Sequence, residues 1–210
     1  MKRAAVCVLA SLLFAGVSRA DLIVPVSQDR HVAATVGTQT QRFDAPDFGP
    51  FVQTAGISDQ NGFASAPQNS SIGPNSITGT LSAASQGFGP TAASAQSVMQ
   101  VVFNVPETVA FTFSGHGTGG LVGGFASLTG PGVSLTFAGL WNGGPPFNQQ
   151  GQLGPGQYTF LLSTSTNSTG QVGAGVTGTL SLQSIPAPSA GAVLGLGALV
   201  LRRRRRVTQE

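Results

Sequence analysis

Between Glu107 and Arg202 the chain carries no formal charge, and within that stretch apolar residues recur at every second position. Val109, Phe111 and Phe113 alternate with Ala110, Thr112 and Ser114, and Val133, Leu135 and Phe137 alternate with Ser134 and Thr136. Tyr158, Phe160 and Leu162 follow the same rule, as do Val176, Gly178, Leu180 and Leu182 against Thr and Ser. A period of two places the apolar set on one face of a strand and the polar set on the other. Thr129-Gly130-Pro131-Gly132 and Leu153-Gly154-Pro155-Gly156 supply turn chemistry between the runs. Strands at this spacing predict an all-β fold, an antiparallel β-sandwich of jelly-roll-like type. Helices compete poorly, because the sequence holds 30 Gly and 13 Pro, which are costly in helix interiors.

The first half gives a weaker pattern. Leu22–Val26 and His31–Val36 read as two short strands, with Pro25 confining the first to a sheet edge. Gln39–Val52 reads as a strand running into a loop, with Phe43, Phe48 and Phe51 tucked beneath it. Thr54–Ser97 is rich in Ala, Ser, Gly, Asn, Gln and Pro and predicts long loops, apart from a strand over Ile77–Ala83. From there the strand runs are Val98–Val105, Thr108–Ser114 around Pro106-Glu107, and Leu121–Leu128.

Both ends differ from this body. Met1–Ala20 has a basic start at Lys2 and Arg3, an apolar run Ala4–Val17, and small residues at Ser18 and Ala20. That is the layout of a secretory signal peptide cut between Ala20 and Asp21. Cys7, the single cysteine, leaves with it, so no disulfide or thiol chemistry is expected in the exported chain. At the other end Ser189–Leu201 contains only Ser, Ala, Gly, Val and Leu, and five arginines, Arg202, Arg203, Arg204, Arg205 and Arg206, follow. An apolar helix bounded by like charges fits a bilayer, with the arginines on the cytoplasmic side. The segment is shorter than the roughly 20 residues of a full span, and snorkelling arginines with local thinning offset the difference. The division is therefore signal peptide 1–20, ectodomain 21–184, a tail 185–206 with a short transmembrane helix, and a cytoplasmic end 207–210.

The order of parts in the tail, Pro186-Ala187-Pro188, a short Gly/Ala/Leu/Val helix and an arginine cluster, resembles the PEP-CTERM sorting signal. That family usually has Glu at the central position, where this chain has Ala187. The resemblance implies recognition by exosortase, a transpeptidase-like enzyme in the inner membrane of Gram-negative bacteria, many of which make exopolysaccharide. It makes Pro186, Ala187, Pro188 and Arg202–Arg206 the sorting residues, and signal peptidase and an exosortase-like enzyme the partners. The run Leu153–Thr159, with Pro-Gly-x-Tyr, and a last strand ending at the linker also resemble PEP-CTERM ectodomains.

The net charge of +3 belongs to these targeting segments. Between Asp21 and Ser184 only Arg30 and Arg42 oppose Asp21, Asp29, Asp44, Asp47, Asp59 and Glu107. An exported part that is net acidic and sparsely charged gives no footprint for nucleic acid. Its length suits one domain with its own core.

Candidates for chemistry are few. Asp44, Asp47 and Asp59 are the best cation ligands by residue type, but they lack EF-hand spacing, so solvated loop acids are expected and no metal is assigned. His31 and His116 are the only histidines. His116 lies in a Gly-rich run without the Gly-Lys-Ser/Thr end of a phosphate loop. No nucleophile elbow or zinc-protease helix occurs. Neither an enzyme nor a cofactor is expected. Trp141, the only tryptophan, sits beside Asn142 in a Gly/Pro-rich loop. It either caps the end of the sandwich with Phe147 or stacks on a sugar ring. The reading is an exported, non-enzymatic envelope or matrix protein held or processed through its tail, ending at the cell surface or outside. The alternative is a carbohydrate-binding module acting through Trp141 and Asn142 on exopolysaccharide.

Overall fold

A computed structural model describes residues 21–118 and 123–185. The strands are β1 (Val24–Val36), β2 (Gln39–Asp44), β3 (Phe51–Asp59), β4 (Gly62–Ile72), β5 (Ser76–Gly87) and β6 (Ala93–Val105). They continue as β7 (Val109–Gly117), β8 (Gly124–Gly130), β9 (Val133–Leu140), β10 (Phe147–Leu153), β11 (Gly156–Ser168) and β12 (Val172–Ser184). Two six-stranded antiparallel sheets result, ordered β2-β1-β6-β11-β8-β9 and β10-β7-β12-β5-β4-β3. No helix occurs among the described residues.

The last eight strands pair as nested hairpins, β5 with β12, β6 with β11, β7 with β10 and β8 with β9. Strands β1 to β4 extend both sheets on the same side. The inner faces share one core. Met99, Val101, Phe103, Phe160 and Leu162 of the first sheet join Ile77, Leu81, Phe113, Val176 and Leu180 of the second. The alternating runs on β7, β11 and β12 bury their apolar set here, as period two requires, and Val133, Leu135 and Phe137 of the edge strand β9 pack against it half-buried. A second cluster lies at the β1–β4 end and is mostly alanine: Ala34, Ala55, Ala64, Ala66, Ala83, Ala93 and Ala95, with Val32, Val36 and Phe51. Fewer buried methylenes give less hydrophobic stabilisation there, and buried polar groups take a larger part.

Thr54–Ser97 is therefore strand and not loop. Its inward positions are small or polar, Ala64, Ala66, Gln68 and Ser70 on β4 and Ala83 and Ser85 on β5, so hydrophobicity alone shows no alternation. The two short strands expected over Leu22–Val36 are one strand. Pairing with β2 begins only at His31, so the half that contains Pro25 has β6 as its single neighbour, as a proline edge requires. Of the three aromatics expected beneath the loop only Phe51 is buried; Phe43 and Phe48 are each 37% exposed. Strand β10 reads Phe-Asn-Gln-Gln-Gly-Gln-Leu, a run whose polar middle shows no alternation to predict a strand. It is an edge strand whose core contacts come from its two ends.

Candidate functional site

The connection from β9 to β10 carries Trp141 and Asn142. A turn closes through the Gly144 amide, which donates to the Trp141 carbonyl at 3.0 Å. Gly143 takes a φ of 82°, open to glycine at no steric cost. Asn142 makes an isolated parallel bridge to Gly117 at the end of β7. A Cβ on Gly117 would lie 2.3 Å from the Trp141 nitrogen, so glycine lets the loop backbone sit on the strand. The indole runs beside Gly144, and Trp141 stays 53% exposed. Phe147, by contrast, turns inward. It stacks on Phe137 with centroids 4.2 Å apart and meets Phe113 edge-on at 4.9 Å. The cap is thus Phe147 alone, and the indole is presented to solvent.

The acids Asp44, Asp47 and Asp59 do not converge. Asp47 Oδ1 accepts from the Gly49 amide at 2.8 Å and Asp59 Oδ1 from the Asn61 amide at 2.7 Å, each within its own loop. Asp44 lies opposite His31 across β1 and β2 and joins Asp29. The ligating atoms of Asp29, His31 and Asp44 lie within 4.8 Å of one another. An imidazole with two carboxylates is a donor set that zinc accepts. Here, however, His31 Nδ1 and Asp29 Oδ1 are 2.7 Å apart, and Arg42 grips Asp44 through Nη2 at 2.6 Å and Nε at 2.9 and 3.1 Å. The Arg42 hydrogen bond holds the Asp44 carboxyl below its ordinary range, and Arg42 itself is raised. These four residues form a paired network on the outer face of the first sheet.

Sequence reasoning missed a third arrangement. Arg30 is 2% exposed. Its Nη2 donates to the carbonyls of Asp47 at 2.5 Å and Gly49 at 2.8 Å, Nε to Gln28 Oε1, and Nη1 to Ser70 Oγ at 3.4 Å. The guanidinium carbon sits 5.8 Å from the centroid of the Phe51 ring, within cation–π range. Burial lowers its pKa and the Asp47 charge opposes the shift. Arg30 thereby fastens the loop between β2 and β3. Nearby, Gln68 spans the two sheets. With its amide oriented to satisfy its neighbours, Nε2 donates to the carbonyls of His31 at 3.2 Å and Val98 at 3.0 Å, and Oε1 accepts from Ser70 Oγ at 3.1 Å. Arg30 and Ser70 lie at inward positions of their strands, a placement that only the strand register reveals.

His116 is exposed on β7 opposite Thr177. Asp21 is exposed and precedes Leu22 and Ile23, both buried, whose amides donate to the Pro74 carbonyl at 2.9 Å. Ala20 and the sorting residues Pro186, Ala187, Pro188 and Arg202–Arg206 lie outside the described residues. No protein-family model matches this chain, and no curated protein matches it.

Proposed function

We propose that this is an exported, non-enzymatic envelope or extracellular-matrix protein, carried out by Met1–Ala20 and sorted or anchored through the PEP-CTERM-like segment Ile185–Arg206. Its ectodomain is of jelly-roll type, a reading that the nested pairing of β5–β12 supports. One observation carries the reading. Among the described residues the buried body starts at Leu22 and the last strand ends at Ser184, limits that agree with an ectodomain over 21–184. Signal peptidase and an exosortase-like enzyme in the inner membrane are the expected partners.

Intact mass of the protein from the native cells tests this. A chain beginning at Asp21 and lacking the arginine run agrees with export and sorting; an unprocessed chain recovered from the cytosol refutes both. Replacing Arg202–Arg206 by Asn should trap or misroute the protein without changing its fold.

The exposure of Trp141 supports a second reading, carbohydrate binding through Trp141 and Asn142. Trp141→Ala should then abolish glycan-array binding, and unchanged binding removes the loop from consideration.

A further inference from the structure

Like strands β6, β8, β9 and β11 of the first sheet, most of the second sheet is free of formal charge. Strands β4, β5, β7, β10 and β12 contain no Asp, Glu, Lys or Arg. The charged side chains of the body are Asp21, the group between Asp29 and Asp59, and Glu107. Outward positions on those five strands are mainly Ser, Thr, Asn and Gln, aligned in rows across the strands. Thr112 stands between Gln150 and Ser181, and the Thr-Gly-Thr runs 78–80 and 177–179 pair residue for residue. Across β10, β7 and β12 this face hollows into a groove of about 360 Å³ in which Thr112, Gln150, Gln152, Ser181 and Gln183 are joined by Ala110, Phe111 and Gly151. Gly151 leaves space on the inner side of β10, and the Phe111 ring fills it, 2.9 Å from where a Cβ would lie. The groove therefore has a closed, partly apolar floor beneath a row of amide and hydroxyl side chains.

We infer that this groove binds a neutral polysaccharide. Each glutamine amide and each hydroxyl presents both a donor and an acceptor, the complement of a sugar hydroxyl. With no cation on the five strands, phosphate, sulfate and uronate chains have nothing to pair with. The one large apolar group in the lining, the Phe111 ring, is buried, so the groove offers no exposed anchor of the kind that protein interfaces bury at their centre. Rows spaced by about 4.8 Å, the distance between strands, follow a glycan at close to one sugar unit per strand. The inference shares its ligand class with the second reading above but places the site on the sheet and not at Trp141.

Affinity electrophoresis of the full chain as purified from expressing cells, through gels containing dextran, a neutral β-glucan or a galactomannan, with alginate as the acidic control, tests the groove. At least one neutral gel should retard the protein, alginate should not, and high salt should leave the retardation intact. The double variant Gln150→Ala/Gln183→Ala should bind about tenfold more weakly, as the loss of one or two hydrogen bonds implies, with its circular dichroism and thermal midpoint unchanged. Trp141→Ala separates the two candidate sites: retained retardation assigns the ligand to the groove. Absence of retardation by every neutral gel, parent-like binding by the double variant, loss of binding in high salt, or abolition by Trp141→Ala alone would each overturn the groove. Intact-mass data on export are independent of all four outcomes, so failure here leaves the sorting proposal standing.

Discussion

Gly79 on β5 and Gly178 on β12 are direct cross-strand partners, and Leu162 from the facing sheet fills the space that both leave empty. A Cβ on Gly178 would lie 2.6 Å from Leu162 Cδ2; one on Gly79 would lie 2.7 Å from Met99 Sδ and 2.9 Å from Leu162 Cδ1. Neither glycine has a positive φ, so the requirement is for space and not for backbone freedom. Gly178→Ala should destabilise the domain by about 1–3 kcal/mol, the usual cost of overpacking a filled core, in chemical denaturation. A neutral or stabilising result would show that Leu162 is free to retreat. Gly178→Ala combined with Leu162→Val should recover part of the loss, because the clashing methyl is gone.

These two glycines show how far the sequence could be read. Both occupy inward positions in the runs Ile77–Ala83 and Val176–Gln183, and the alternation of their neighbours places them there. What no pattern discloses is that their role is to admit a side chain from the other sheet, since that needs the stacking of β11 over β5 and β12. The same limit explains Thr54–Ser97. Its inner face is built from Ala55, Ala64, Ala66, Ser70 and Ser85, and a strand that buries alanine and serine has almost no hydropathy contrast between its faces. Phe43 and Phe48 failed for two reasons: Phe43 stands on the edge strand β2, and Phe48 lies in a loop that Arg30 holds by its carbonyls without folding it over a core. Trp141 was placed correctly in a Gly/Pro loop, whereas the groove on β7, β10 and β12 was invisible because it depends on which strands become neighbours.

The Arg30 clamp should be worth several hydrogen bonds to a charged donor. Arg30→Met retains much of the hydrocarbon stem and deletes the guanidinium, leaving the carbonyls of Asp47 and Gly49 without their buried partner. A loss of about 2–4 kcal/mol is expected, together with faster chymotryptic cleavage at Phe48 under native conditions. Cleavage at the parental rate in the variant would mean that the loop is held by other contacts.

Tyr158 is the only tyrosine, so its ionisation can be followed directly in the ultraviolet. Its ring is 1% exposed and stacks on Phe103 at 5.9 Å, and its hydroxyl donates to the Gly154 carbonyl at 2.9 Å. Burial raises the phenol above its ordinary value near 10. An acid with a raised native pKa contributes stability that is complete below the unfolded pKa and is lost as pH rises through the native one. Stability should therefore fall on the alkaline side of pH about 10. Tyr158→Phe should cost about 1 kcal/mol at neutral pH through the lost hydrogen bond and remove this alkaline limb. A phenol that titrates at its free value in the native protein would contradict the burial.

Phe137 on β9 and Phe147 on β10 belong to edge strands of different sheets, and their stacked rings, 12° from parallel, join those edges. Phe113 contacts both rings edge-on, at 5.8 and 4.9 Å. Aromatic pairs of this kind contribute about 0.5–1.5 kcal/mol beyond area burial. A double-mutant cycle with Phe137→Leu and Phe147→Leu should yield a coupling energy of that size. Phe147→Ala alone should cost about 3 kcal/mol, since it also opens the space around Phe113. The cycle needs circular dichroism as its readout. Trp141 is already largely in water in the native state, so its emission should shift little on unfolding even though it lies only six residues from Phe147. A large blue-shifted native emission would place the indole inside the clasp and would require Phe147 and Trp141 to share the capping role.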